Sequence, residues 1–199
     1  MKLLHAPTSP FARKVRACAI VLGIQDRIEL VDLNPGDSSP ELLAANPLSK
    51  VPCLITDEGE SIFDSPVICE YLDSLSGAPK LFPTEFNARF AALKLQALAD
   101  GIMDATVARR GETMRPKEDA REAAIARHKA AATRSLDLLE SMSLPQELNI
   151  GTIAVACALG YLTLRFSDEP WREGRPNLTK WFATFGLTPC IASTKPKAA

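Results

Sequence analysis

Asn46-Pro47-Leu48-Ser49-Lys50-Val51-Pro52 runs straight into Cys53-Leu54-Ile55-Thr56, and the reading of this stretch decides the fold. A polar loop flanked by prolines and followed by a short apolar run is a turn that delivers the chain into a strand. Backwards from it, Pro40 to Ala45 reads as a short helix, Ile28 to Asp32 as a strand, and Lys2 to His5 as another. Between those two strands, Phe11, Val15, Cys18, Ala19 and Leu22 recur at helical spacing until Gly23 stops the helix. Forwards, Asp57-Glu58-Gly59 turns the chain into Ser61 to Phe63, and Val67, Ile68, Tyr71, Leu72 and Leu75 mark one more amphipathic helix. The order is βαβ, a connecting helix, then ββα, which suits a small mixed sheet.

The segment Ser76-Gly77-Ala78-Pro79-Lys80-Leu81-Phe82-Pro83 has two prolines, a glycine and no usable period. It is the expected boundary, giving a first domain over 1–75, a linker over 76–84 and a second domain over 85–199. The second domain reads as helix throughout: about Glu85 to Ala108, Glu118 to Ser141, Thr152 to Phe166 and Asn177 to Phe185. Residues 194–199 have nothing to bury and are expected to fray. The fold class is therefore α/β followed by all-α.

Composition removes several classes of function. Lys and Arg total 23 against 24 Asp and Glu, so no basic footprint exists for a nucleic acid or an anionic membrane. The longest apolar run, Ile150 to Leu164, falls short of the roughly 18 residues a membrane span needs and reads as a buried helix. The opening MKLLHAPTSPF has no extended apolar stretch before a cleavage site, so a cytoplasmic protein is expected. Five scattered cysteines, Cys18, Cys53, Cys69, Cys157 and Cys190, sit mostly in apolar patterns and read as reduced core residues. Neither His5 nor His128 has a partner at metal-ligand spacing, so no metal is expected.

Ser9-Pro10, Ser39-Pro40 and Ser65-Pro66 each stand just ahead of a predicted helix. A serine N-cap accepts from a free N–H of the first turn, and proline after it loses nothing, so capping explains each pair singly. Two of them gain meaning from their company. TSPFARKVR after the first strand, NPLSKVP before the third and FDSPVICEYL after the fourth stand in the order and spacing of glutathione transferases. The chain resembles that family over nearly its whole length, with the specific motifs between Thr8 and Tyr71. The resemblance implies a thioredoxin-like domain that binds glutathione, and a helical domain that binds the acceptor.

Glutathione's thiol has an ordinary pKa of about 8.5 and is mostly protonated near neutrality. Bringing it to about 6.5 takes about 2.7 kcal/mol of preferential interaction with the thiolate. A hydroxyl donating to an anion supplies about 1.5–3 kcal/mol, and a helix N-terminus adds a few tenths to about 2. Ser9 can supply both terms, because one hydroxyl can accept from the helix and still donate its proton to sulfur. Thr8 is the alternative donor. A serine also argues against a mixed-disulfide mechanism.

By the same resemblance Pro52 is a cis proline, where the residues alone equally permit a trans proline opening an edge strand. A cis bond would turn the Val51 N–H and C=O outward to pair with the cysteinyl backbone of glutathione as an added strand. Asp64-Ser65 matches the acidic-Ser pair that takes the γ-glutamyl end: Ser65 Oγ and N–H suit its carboxylate, and the Asp64 carboxylate its ammonium. Lys50 either meets the glycyl carboxylate or is merely solvated. Asp100 either reaches towards a partner's glutathione in a homodimer or is an ordinary surface acid.

Arg13 and Lys14 sit near a helix N-terminus, where cations are unfavourable, so each is expected to find an outside acid. Asn149 caps the most apolar helix, but Thr152 replaces the acid of a capping box and is expected to weaken it. Leu148 against Ile153 would staple the helix start. The acceptor pocket is expected between the domains, lined by Pro7, Met103, Val107, Arg110 and Met114. The function expected is a glutathione S-transferase acting on small, mostly apolar electrophiles or on peroxides. Its rivals are a non-catalytic interaction or regulatory protein on the same fold, and a glutathione-dependent disulfide reductase, which would lack a cysteine in the active loop.

Overall fold

The computed structural model describes all residues except 38, 78–80 and 197–199. Part of the expected linker, 78–80, and part of the expected frayed tail, 197–199, therefore lie outside the described residues.

Strands β1 (Lys2–His5), β2 (Glu29–Asp32), β3 (Cys53–Ile55) and β4 (Ser61–Ile62) form one sheet in the order β2-β1-β3-β4. β1 and β2 are parallel, in register Leu3 to Leu30; β1 and β3 are antiparallel, Leu3 opposite Leu54; β3 and β4 are antiparallel. Helices α1 (Pro10–Val21), α2 (Pro40–Ala45) and α3 (Ser65–Leu75) complete a thioredoxin-like domain. Alternation along β1 separates two cores. Leu3 faces the large cluster with Val15, Cys18, Ile68 and Leu72, while Leu4 faces a small one with Leu42, Ala45 and Cys53.

The second domain holds α4 (Phe86–Thr113), α5 (Asp119–Ser141), α6 (Ile150–Arg165), α7 (Pro176–Phe185) and α8 (Pro189–Ser193). α4 runs five residues past its expected end at Ala108, because Arg109 breaks the apolar pattern and yet is buried, bonded to Glu169. α8 and the 3-10 turns Gln25–Arg27 and Pro35–Asp37 had no signal in the sequence, being too short to show a period.

Twelve of the sixteen residues of α6 are buried, which is why that helix is apolar all round. No helix among the described residues is long and apolar enough to cross a membrane. α6 approaches α4 closely at Gly151, where a Cβ would stand 2.6 Å from the Ala92 carbonyl oxygen and 2.8 Å from Leu95 Cβ. Its start is capped reciprocally, against expectation. Asn149 Oδ1 accepts from the Gly151 and Thr152 N–H groups, and Thr152 Oγ1 accepts from the Asn149 N–H at 3.0 Å. A hydroxyl thus completes the box as an acid would. Leu148 is exposed, while Ile153 is wholly buried.

Candidate active site

The loop between α2 and β3 is organised by one buried side chain. Asn46 Oδ1 accepts from Leu48 N–H at 3.0 Å, its Nδ2 donates to the Lys50 carbonyl at 2.8 Å, and its own carbonyl accepts from Ser49 N–H at 2.9 Å. Ser49 takes the left-handed conformation, φ 51°, that this tight path requires. Val51-Pro52 is cis, as the resemblance implied. Among the described residues no other backbone group pairs with the Val51 N–H or C=O. Asn46 was missed as the loop's organiser. The signal was Asn ahead of proline, a side chain suited to bonding backbone two residues on.

At the mouth of α1, Ser9 Oγ accepts from Ala12 N–H at 3.2 Å, the expected cap, and Ser9 N–H donates to the Ala6 carbonyl at 2.9 Å. The hydroxyl proton has no partner among the described residues. Thr8 Oγ1 accepts from Arg165 Nη2 at 2.8 Å, across the domain seam.

One turn into α1, Lys14 is wholly buried and donates to both oxygens of Asp100 on α4, at 2.7 and 2.8 Å. That is the outside acid its position called for. Among the described residues Arg13 finds no acid; it donates to the Ile191 carbonyl of α8 at 2.9 Å and to Thr194. Asp100 thus braces α1 within its own chain.

The third Ser-Pro pair does not cap its helix. Asp64 is the N-cap of α3, its Oδ1 accepting from the Ser65 N–H, and Ser65 is the first helical residue. The Phe63-Asp64 peptide is also cis. Ser65 is wholly buried, and its Oγ has no hydrogen-bond partner among the described residues. Of the two groups expected to meet a ligand carboxylate, the hydroxyl is open and the N–H is already engaged by Asp64.

These parts enclose a cleft of about 490 Å³ between the domains. Thr8, Ser9, Lys50, Val51, Pro52 and Asp64 line it from the first domain. Asp100, Asp104 and Val107 of α4 and Tyr161 of α6 line it from the second. Burial raises the carboxyl pKa of Asp104, and the nearby Asp64 charge adds to the rise while Lys50 and Lys14 oppose it. Burial likewise raises that of Asp100, against the pull of Lys14.

Of the expected acceptor-pocket residues only Val107 lines the cleft. Met103 is wholly buried in the core, and Pro7, Arg110 and Met114 lie outside the lining. The stripe Asp100, Asp104, Val107 is rotated by roughly 60° from the stripe of the expected residues on α4, at about 100° per residue. Asp100 and Asp104 face the cleft beside Val107, and Met103 faces the core. Asp104, Tyr161 and Arg165 were missed because each is placed by packing of the helical domain.

A thioredoxin-like sheet with a cis proline at its ligand edge, roofed by helices that close a peptide-sized cleft, defines the class. The particular family follows from comparison with known proteins. Residues 8–75 match the glutathione S-transferase N-terminal domain, and residues 122–184 match the glutathione S-transferase C-terminal domain. An uncharacterized GST-like protein of Escherichia coli K12, YibF, is 37% identical over 204 residues, covering 100% of both chains. A glutathione transferase family member from Pseudomonas fluorescens Pf-5 with bound glutathione superposes with TM-score 0.93 at 37% identity, covering 98% of each chain. A structure of a family member from the same organism carries S-(propanoic acid)-glutathione; its TM-score is 0.89 at 36% identity, covering 99% of this chain and 100% of that one. The chain belongs to the glutathione transferase family.

Among the described residues there is no group of three or more His, Cys, Asp or Glu that could hold a metal.

Proposed function

We propose that this chain binds glutathione in the interdomain cleft, holds its sulfur as a thiolate on Ser9, and transfers it to a small electrophile. The observation that carries the proposal is the Ser9 hydroxyl: its lone pair caps α1, its proton is unengaged, and it lines the cleft. Donation to sulfur adds to the field of the helix N-terminus. The cysteinyl backbone pairs with Val51 beside cis Pro52, and Lys50 on the rim attracts the glycyl carboxylate. Ser65 Oγ, buried and unpartnered, donates its proton to the γ-glutamyl carboxylate. Asp64 takes the ammonium, with Asp104 across the cleft. Asp100, both of whose oxygens lie on Lys14, has a bracing role instead of a ligand-binding one.

The division remains 1–75, a linker over 76–84, and 85–199, in a cytoplasmic homodimer. A second copy suits the exposed, paired rings of Phe86 and Phe90, which are 69% and 60% exposed with centroids 4.9 Å apart. Neutral electrophiles report the basic activity. Ser9→Ala should lower turnover of 1-chloro-2,4-dinitrobenzene by an order of magnitude or more while glutathione affinity changes little. Unchanged turnover removes Ser9 from the mechanism, and absence of glutathione binding by the wild type removes the proposal.

A further inference from the structure

Arg165 ends α6 just outside the cleft lining, bonded to the lining residue Thr8 and with no acid partner among the described residues. Arg109, Arg121 and Arg175 each meet a carboxylate, in Glu169, Glu122 and Asp137. Arg165 instead donates through Nη2 to a neutral hydroxyl, Thr8 Oγ1, at 2.8 Å. Its Nε is buried without a hydrogen-bond partner among the described residues, where Nη1 likewise has none. The guanidinium carbon lies 5.7 Å from the centroid of the Tyr161 ring, and both Tyr161 and Thr8 line the cleft.

Thr8 and Ser9 are consecutive, so the residue that Arg165 holds is the neighbour of the hydroxyl proposed to meet the sulfur. The cleft also holds Asp64 and Lys50 from the first domain and Asp100 and Asp104 from the second. Lys14 is paired with Asp100, so Asp64 and Asp104 are the acids an anionic acceptor meets, and Arg165 offsets them on the Thr8 side. A guanidinium offers paired N–H donors that match a carboxylate.

We propose that Arg165 selects the acceptor, favouring a small electrophile whose carboxylate lies a few bonds from the reacting carbon, such as a 2-enoate. The proposal rests on the glutathione-transfer reading above and specifies its substrate class. In the addition, the thiol proton has already left to solvent. The thiolate sulfur bonds to the β carbon of the enoate, and the π pair shifts towards the α carbon and carboxylate. A water proton then completes the α carbon, giving a thioether acid. Arg165 faces the carboxylate while negative charge accumulates there.

The test pairs acrylate with neutral acrylamide, each enzymatic rate divided by its own uncatalysed rate. The wild type should accelerate acrylate more. Arg165→Gln should lower kcat/KM for acrylate by about 10- to 100-fold and leave acrylamide within about threefold. Arg165→Lys should retain part of the acrylate preference. Equal losses on both acceptors in Arg165→Gln would overturn the proposal, because they mark a role in holding the Thr8 loop or the thiolate. If neither acceptor is turned over, the transfer reading fails separately. Calorimetry with S-(2-carboxyethyl)glutathione and S-(2-carbamoylethyl)glutathione then decides. A roughly tenfold preference for the acid that vanishes in Arg165→Gln upholds the role of Arg165, and no preference overturns it.

Discussion

The two walls of the cleft are built by opposite means. On the first-domain wall Ser9, Asn46 and Asp64 are placed by their near neighbours. Ser9 caps three residues on, Asn46 bonds within four, and Asp64 bonds the next residue. At the seam with the second domain the partners are remote. Lys14 meets Asp100 86 positions on, Thr8 meets Arg165 157 positions on, and Arg13 meets Ile191 178 positions on. A local cap can be lost and water or a neighbouring group replaces part of it. A buried cation that loses its acid has no such substitute, so the seam should be the brittle half and the loops the tolerant one.

The largest expected effect is therefore at Lys14. Lys14→Met leaves the carboxylate of Asp100, only 17% exposed, without its partner, and should destabilise the protein by about 3–5 kcal/mol in denaturant unfolding. Adding Asp100→Leu should recover a large part of that loss; no recovery would mean that the pair is not the source of the brittleness. Next comes Gly151→Ala, which presses a methyl onto the Ala92 carbonyl and should cost about 1–3 kcal/mol. Gly160→Ala would drive a methyl onto the guanidinium of Arg13, which is buried and bonded to Ile191 and Thr194, and should cost at least as much.

The caps should be smaller still. Ser39→Ala and Ser9→Ala each remove one N-cap and should lose about 1 kcal/mol. Their activities separate them: Ser39→Ala should keep full turnover, and Ser9→Ala should not.

The smallest effect concerns Glu169, whose pKa is lowered chiefly by the hydrogen bond from Arg109, with help from Lys129. A lowered carboxyl pKa contributes stability above the ordinary glutamate value and loses it as pH falls through the lowered one. Thermal melts between about pH 5 and pH 3 should therefore decline more steeply in wild type than in Glu169→Gln. Parallel curves would show that this ion pair contributes nothing.

The same contrast explains how much the sequence discloses. The sheet and the helices of the first domain are legible because their periods and turn residues are local, and α2 falls on the span read from the sequence, Pro40 to Ala45. Ser9 as a cap, and Pro52 as a cis proline by resemblance, are legible for the same reason. The acceptor wall is not. Met103 and Val107 share one apolar stripe on α4, and only the packing of α6 decides that Met103 turns inward. Asp104, Tyr161 and Arg165 carry no motif. Ser65 misled because an acid beside it, Asp64, competes better for the helix N-terminus. Lys14 was legible as a cation out of place at a helix start, though not the residue that answers it.

The central claim is that an unengaged proton at the mouth of α1 stabilises a thiolate, and thiol ionisation tests it most directly. Ultraviolet titration of glutathione bound to wild type should show the thiol ionising well below its ordinary value of about 8.5, and bound to Ser9→Ala close to that value. A bound thiol that ionises at the same pH in both proteins would contradict the account.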